Sequence, residues 1–266
     1  MLMIGETFTA LTLPYGAEHT KTVRVYVPAH EEGETLPVIY MTDGQNLFGD
    51  IPVKYGCWYV GETVREHQQA TGHAAVIVGI YNDGEAMERA GELTPKALGA
   101  FFYPPEMPLE ARPQLIPTGE VFDDFVVNTV MPAVEAQFPV KKGRAYTAFC
   151  GSSCGGVQTF YTVLSHPEKF SCGGVFSPAF PVYVPQDLEQ WIRSHVPEDM
   201  PFLYCYGGGS DPLEHQISLS LESVFTVLQD CCPADKLHKV IVPDQPHHES
   251  AWQMVFKEFL TRFLEG

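Results

Sequence analysis

Two short runs of unbroken apolar residues, 36–41 (LPVIYM) and 74–81 (AAVIVGIY), set the tightest limit on how this chain can fold. A strand with one wet face alternates apolar and polar residues, whereas a strand covered on both faces does not need to. Residues 145–150, 172–177, 202–206 and 239–242 have the same short, strand-like character. Stretches with helical character fall between them, at 58–69, 120–138, 157–164, 217–228 and 251–264. In the second of these, Phe122, Phe125, Val126, Val130 and Val134 form one stripe. Residues 21–28 (KTVRVYVP) alternate and read as a half-exposed strand. Strand and helix in alternation, with strands of the buried kind, imply an α/β chain: a mainly parallel central sheet with helices on both faces. No repeat or linker interrupts the alternation, so residues 1–266 read as one domain. Residues 96–119 are the irregular exception, aromatic and rich in proline. They are too long for a simple connector, and either cover a site at the strand ends or pack as a surface excursion.

Charge narrows the choice of partner. Sixteen basic residues stand against thirty-three acidic ones, a net charge of -17. Nucleic acid and anionic membranes both require a basic footprint, so neither is an expected partner. The longest clean apolar run, residues 74–80, is far short of a bilayer span. The first eight residues lack the basic start and long apolar core of a secretory leader, which points to a cytoplasmic chain, or to a secreted one whose leader was removed. Seven cysteines, an odd number without a CxxC pair, suit neither a disulfide framework nor a zinc site. No metal or cofactor is expected, and the oligomeric state is not legible.

In a sheet of this kind, sites form in loops at the carboxyl ends of strands. The strongest such signal is Gly151-Ser152-Ser153-Cys154-Gly155-Gly156, a G-x-S-x-G pattern centred on Ser153. A strand that turns abruptly into a helix brings backbone close to backbone on either side of the turn, where only small residues fit, and thrusts the central side chain outward. The bland alternative is a glycine-rich turn without chemistry. A serine hydroxyl needs a base, and the base needs an orienting acid, in the chain order Ser, acid, His for this type of turn. Asp211 follows the strand at 202–206 and stands as the acid, or as a helix cap. His247 and His248 follow the strand at 239–242, and both stand as bases, or as surface histidines. Asp244 shares their loop. An oxyanion needs two N–H donors, for which the amides of Cys154 and Gln45 are placed. Trp58, Phe101 and Phe102, with Tyr59 and Tyr103 beside them, offer an aromatic substrate-binding lining, or equally an ordinary core.

With these residues assembled, the chain resembles the esterase D-like family of α/β-hydrolases, which includes feruloyl, acetylxylan and enterochelin-type esterases and mycolyltransferases. The similarity runs through RVYVP, LPVIYMTDGQNLF, VIVGIYN with Arg89 and Glu92-Leu93-Thr94-Pro95, GSSCGG, Phe176-Ser177-Pro178-Ala179-Phe180 and HHESAW. The family's catalytic histidine stands five residues before a tryptophan, and counting back from Trp252 selects His247. Its acid lies in a G-x-x-D/E-like loop, which Asp211 matches, although GGGSDPLE departs from the common Gly-Thr-Glu form. The residue after Asp-Gly, here Gln45, lines the family's oxyanion hole. The resemblance implies an α/β-hydrolase fold and a serine carboxylic-ester hydrolase. It would work through an acyl-enzyme, with Ser153, Asp211 and His247 as triad, on small-molecule or carbohydrate-linked esters of feruloyl or siderophore type. An acyltransferase with the same residues, or a binding domain that kept only the fold, are the rival readings.

Overall fold

The computed structural model describes residues 2–17, 19–82, 84–112 and 115–266. Its main sheet has eight strands: β1 (Thr7–Tyr15), β2 (His19–Val27), β3 (Val38–Met41), β4 (Val76–Ile80), β5 (Thr147–Ser152), β6 (Cys172–Phe176), β7 (Phe202–Gly207) and β8 (Leu237–Ile241). Across the sheet they run β8-β7-β6-β5-β3-β4-β2-β1. Strands β3 to β8 pair in parallel, while β2 pairs antiparallel with β4 and with β1. Two-residue strands Met3–Ile4 and His30–Glu31 form a separate antiparallel pair. The helices are α1 (Val60–Thr71), α2 (Ala86–Glu92), α3 (Gly119–Phe125), α4 (Met131–Gln137), α5 (Cys154–Ser165), α6 (Pro185–His195), α7 (Pro212–Cys231) and α8 (Glu249–Glu265). This is the α/β-hydrolase fold.

Strand β3 shows why its sequence does not alternate. All four of its residues are buried. Val38 and Tyr40 join a core with Phe122, Phe149, Phe160 and Leu221, beneath helices α3, α5 and α7. Ile39 and Met41 point the other way, into a core with Trp58, Val64, Trp252 and Phe256 from the α1 and α8 side. With helices on both faces, each residue of the strand has an apolar neighbour regardless of its parity. All seven cysteines are free, and Cys150, Cys172 and Cys205 are buried within strands. Burial pushes the Cys205 thiol up to about 12, so it packs as a small hydrophobe.

Three elements escape the reading by pattern. Strand β1 is an edge strand, exposed along most of its length and carrying Pro14, so its sequence lacks the apolar signal of the inner strands. Helices α2 and α6 are short; α6 begins at Pro185, whose fixed φ suits a first helical turn. The helix expected over 120–138 is interrupted at Val126–Val130, where it widens into a π-helical segment. Pro132 lies just beyond this segment. Its ring lacks an N–H and would clash with the carbonyl four residues back, and widening the turn relieves both problems. The segment 96–119 holds two short turns, Lys96–Leu98 and Leu109–Ala111. Pro113 and Gln114 lie outside the described residues.

Helix α5 ends in a polar cluster that makes stability depend on pH. The buried Asp123 carboxylate accepts from Thr162 Oγ1 at 2.7 Å and meets His166 Nε2 at 2.7 Å. The hydrogen bond to Asp123 raises the His166 pKa above its ordinary value, against the opposing effect of burial. A raised histidine pKa contributes stability that is complete below about 6.5, the unfolded value, and disappears as pH rises through the folded one. His166→Ala is therefore expected to lower the unfolding free energy by about 1–2 kcal/mol at pH 5.5 and by clearly less at pH 9. Urea titrations of both proteins at the two pH values measure the gap. A gap that is constant or that widens with pH contradicts the pairing.

Candidate active site

Strand β3 lies between β4 and β5, so the connections that leave its neighbourhood diverge to opposite sides. The crevice this opens at the carboxyl ends is where an open α/β sheet binds ligands. The loop after β3 and the turn after β5 adjoin there, joined by the Thr42 N–H, which donates to the Cys150 carbonyl at 3.2 Å.

Ser153 stands between β5 and α5 with φ 59° and ψ -124°, a backbone conformation that costs a non-glycine residue about 1–3 kcal/mol. Its backbone is tied down on both sides. The Ser153 N–H donates to the Phe176 carbonyl at 3.0 Å, and its carbonyl accepts from Gly156 at 3.0 Å, Val157 at 3.2 Å and Ala179 at 3.0 Å. The flanking glycines are spatial necessities. A Cβ on Gly151 would lie 2.6 Å from the Gly155 carbonyl oxygen, one on Gly155 would strike Thr42 Oγ1, and one on Gly156 would lie 2.7 Å from the Phe176 carbonyl oxygen. Cys154 is the first residue of α5, a position whose N–H has no carbonyl partner one turn back within the helix.

His247 follows β8, and its ring meets Trp252 edge-on at 5.1 Å. The carboxylate that holds it belongs to Glu214, whose Oε2 lies 2.5 Å from His247 Nδ1. Glu214 is wholly buried, and its Oε1 accepts from Ser177 Oγ and from the Gly208 N–H, each at 2.6 Å. The Trp252 indole N–H donates in turn to Ser177 Oγ at 2.9 Å. A buried carboxylate with three partners is fixed in direction, and it fixes the imidazole. The expectation that Asp211 performs this task is corrected here. Asp211 caps α7, accepting the Glu214 N–H at 2.9 Å on Oδ1 and the His247 backbone N–H at 2.9 Å on Oδ2. Those two N–H donors hold its carboxyl below the usual carboxylate range. The sequence hides the swap, because Asp-x-x-Glu at a helix start reads as a capping box, with Glu serving only the cap. In the fold the glutamate turns inward instead. The glycines at 207–209 make room: a Cβ on Gly208 would strike the Gln245 carbonyl.

His248, the other histidine, is half exposed and caps α8, its Nδ1 accepting from the Ser250 N–H at 3.1 Å. Glu249 is buried, and Asn46 Nδ2 donates to its Oε1 at 3.3 Å. Burial raises the Glu249 pKa. On the opposite side of the loop after β3, Arg89 pairs with Asp43; its Nη2 donates to Asp43 Oδ2 at 2.8 Å and its Nε to Oδ1. Burial disfavours the Arg89 charge, but Asp43 more than offsets this and keeps the guanidinium above its ordinary pKa.

Ser153, His247, Gln45 and Trp58 line one cavity of about 430 Å³, with Asp43, Arg89, Glu249 and Trp252. A volume of this size suits a small-molecule ligand. Trp58 is buried against Trp252, with ring centroids 5.6 Å apart. Phe101 and Phe102 are not among the lining residues, which corrects the expectation that these two side chains line the cavity with Trp58. Phe101 pairs with Tyr183, and the Phe102 N–H donates to the Val182 carbonyl at 2.8 Å. These bonds carry the segment toward α6, where Phe102 borders a separate cavity. The signal that separates Trp58 from the two phenylalanines is its position beside the loop after β3. No helix among the described residues is long and apolar enough to cross a membrane.

The family model "Esterase" matches residues 17–196, more than half of the chain. The chain belongs to this esterase family. A siderophore triacetylfusarinine C esterase of Aspergillus fumigatus is 30% identical over 165 residues, covering 59% of this chain. The match spans half of that relative's length. Among solved structures, a siderophore hydrolase, EstA, from Aspergillus nidulans superposes with a TM-score of 0.72 at 18% identity, covering 94% of each chain. An IroE-like serine hydrolase from Shewanella oneidensis gives a TM-score of 0.75 at 16% identity, covering 97% of this chain and 80% of the other. At these identities the structures share the fold.

Proposed function

We propose that this protein is a serine carboxylic-ester hydrolase with Ser153 as nucleophile, His247 as base and Glu214 as the orienting acid. The observation that carries the proposal is the grip of wholly buried Glu214 on His247 Nδ1, on the cavity that Ser153 also lines. Ser153 Oγ attacks the ester carbonyl while its proton passes to His247 Nε2. The carbonyl oxygen becomes an oxyanion, and the amides of Cys154 and Gln45 donate to it. His247 then gives the proton to the departing alcohol oxygen as the C–O bond breaks, leaving an acyl group on Ser153. Water repeats the sequence, releasing the acid and restoring the serine. Glu214 keeps the Nδ1 proton in place and stabilises the imidazolium formed in each half of the cycle.

Trp58 and Trp252 supply an apolar wall for the substrate. The 30% identical relative favours siderophore-type esters ahead of feruloyl and carbohydrate-linked ones. Turnover of a panel of hydroxamate-siderophore, catechol-siderophore, feruloyl and acetyl-sugar esters, read by mass spectrometry, tests this order. The hydroxamate or catechol esters are expected to lead by at least about tenfold in kcat/KM. A lead for feruloyl or acetyl-sugar esters reassigns the substrate. Acyl transfer to an added alcohol in preference to water reassigns the reaction.

A further inference from the structure

The reading of the site as an ester hydrolase leaves Arg89 without a task, although it is one of the most tightly engaged side chains around the cavity. Its partner Asp43 has φ 55° and ψ 43°, a left-handed conformation that is unfavourable for a residue with a Cβ. Asp43 is the residue from which the short turn Gly44–Asn46 springs, its carbonyl accepting the Asn46 N–H at 2.8 Å. Gly44 is pressed against the backbone of β4, where a Cβ would strike Gly79. At the far end, Asn46 Nδ2 is held by Glu249. What keeps the near end in its left-handed state is the set of donors on the Asp43 carboxylate: Arg89 twice, Asn82 Nδ2, and Thr42 Oγ1 at 3.2 Å. Arg89 Nη2 also reaches the carbonyl of Ser152 at 3.4 Å, the residue immediately before Ser153. One guanidinium thus touches both the turn that carries the Gln45 amide and the strand end that carries the nucleophile.

We infer that Arg89 is a positioning residue, a clamp that fixes the Gln45 amide relative to Ser153 and so sets the geometry in which the oxyanion is bound. The planar fork suits this task. It offers parallel N–H donors to a carboxylate and still has one direction free for the carbonyl, whereas a lysine ammonium is a single point on a flexible stem. A clamp of this kind acts on the tetrahedral state, because the ground-state ester does not depend on both amides at once. It therefore raises kcat and leaves KM nearly unchanged, unlike an ion pair that only adds to folding stability.

The test compares wild type, Arg89→Lys, Arg89→Met and Ser153→Ala in steady-state ester turnover, in the rate of labelling by a serine-reactive phosphonate, and in melting temperature. Arg89→Met is expected to lower kcat by about 100-fold, the order seen when an oxyanion donor is lost. Its KM should stay within about threefold of wild type, and phosphonate labelling should slow in parallel with kcat. Arg89→Lys should fall between the two. The affinity of uncleaved ester for Ser153→Ala should not change when Arg89→Met is added. If Arg89→Met proves too unstable to assay, Arg89→Lys decides the matter. Full kcat in Arg89→Lys, or a loss carried by KM with labelling unchanged, overturns the clamp. Wild type that turns over ester in a Ser153-dependent way while both Arg89 variants match it overturns the clamp and leaves the hydrolase reading in place. Wild type that neither hydrolyses ester nor takes the label removes both.

Discussion

Replacing Ser153 by Ala is expected to lower ester turnover by about 10⁴-fold or more while the fold survives. The substitution removes one hydroxyl and leaves the positive φ of the turn in place, so the backbone cost is the same before and after. The hydrogen bonds that hold the turn run through the Ser153 backbone and are retained. The small rate that remains comes from the oxyanion donors and from substrate binding, which do not need the hydroxyl. Two measurements decide the outcome. Circular dichroism and melting temperature should match wild type, and mass spectrometry should find an acyl or phosphonate adduct on wild type alone. Turnover within about tenfold of wild type would mean that another residue is the nucleophile.

The second large effect separates the two acids of the α7 start. Glu214→Gln should reduce kcat by about 10³–10⁴-fold, because the amide can no longer hold His247 in the required tautomer or stabilise its imidazolium. Stability should also suffer, since the Ser177 hydroxyl and the Gly208 N–H lose a charged acceptor in a buried place. Asp211→Ala should behave differently. It removes a helix cap and the acceptor of the His247 backbone N–H, so about 1 kcal/mol of stability is lost and kcat falls by about tenfold or less. The diagnostic is the ranking of the two variants in kcat at a temperature where both are folded. If Asp211→Ala is the more damaged in kcat, the acid is Asp211 and the inward turn of Glu214 is structural.

That ranking also marks where reading by residue pattern stops. The sheet was legible because burial on two faces leaves unbroken apolar runs, as at 36–41 and 74–81, and strands in the middle of a sheet have no freedom to be otherwise. Ser153 was legible because close backbone approach admits only glycine at fixed offsets, and a spacing is a one-dimensional record of a steric fact. The edge strand β1, which buries little, left no such record. Neither did the choice between Asp211 and Glu214. Both residues stand at the start of one helix, within one turn, and at that distance the sequence carries no information about which side chain faces the cap and which the histidine. Among the aromatic residues, only place in the chain offers a signal, Trp58 standing beside the loop after β3. Trp58 and Phe102 are equally apolar on paper, yet one lines the cavity and the other is carried away by its bonds to Val182.

By itself the amino-acid sequence determined the class of fold, the place of the strained serine, and the polar loop that brings His247 and His248 to the same cavity. Each of these follows from short-range physics: apolar periodicity, the steric demand of a tight turn, and a polar loop at the end of a strand. The tertiary structure decided which carboxylate holds His247, which aromatic residues line the cavity, and that Arg89, 46 residues beyond Asp43, closes on the loop after β3. Those choices depend on the direction of side chains brought together from distant parts of the chain, and direction is set only when the packing of the whole sheet and its helices leaves each carboxylate one place to go.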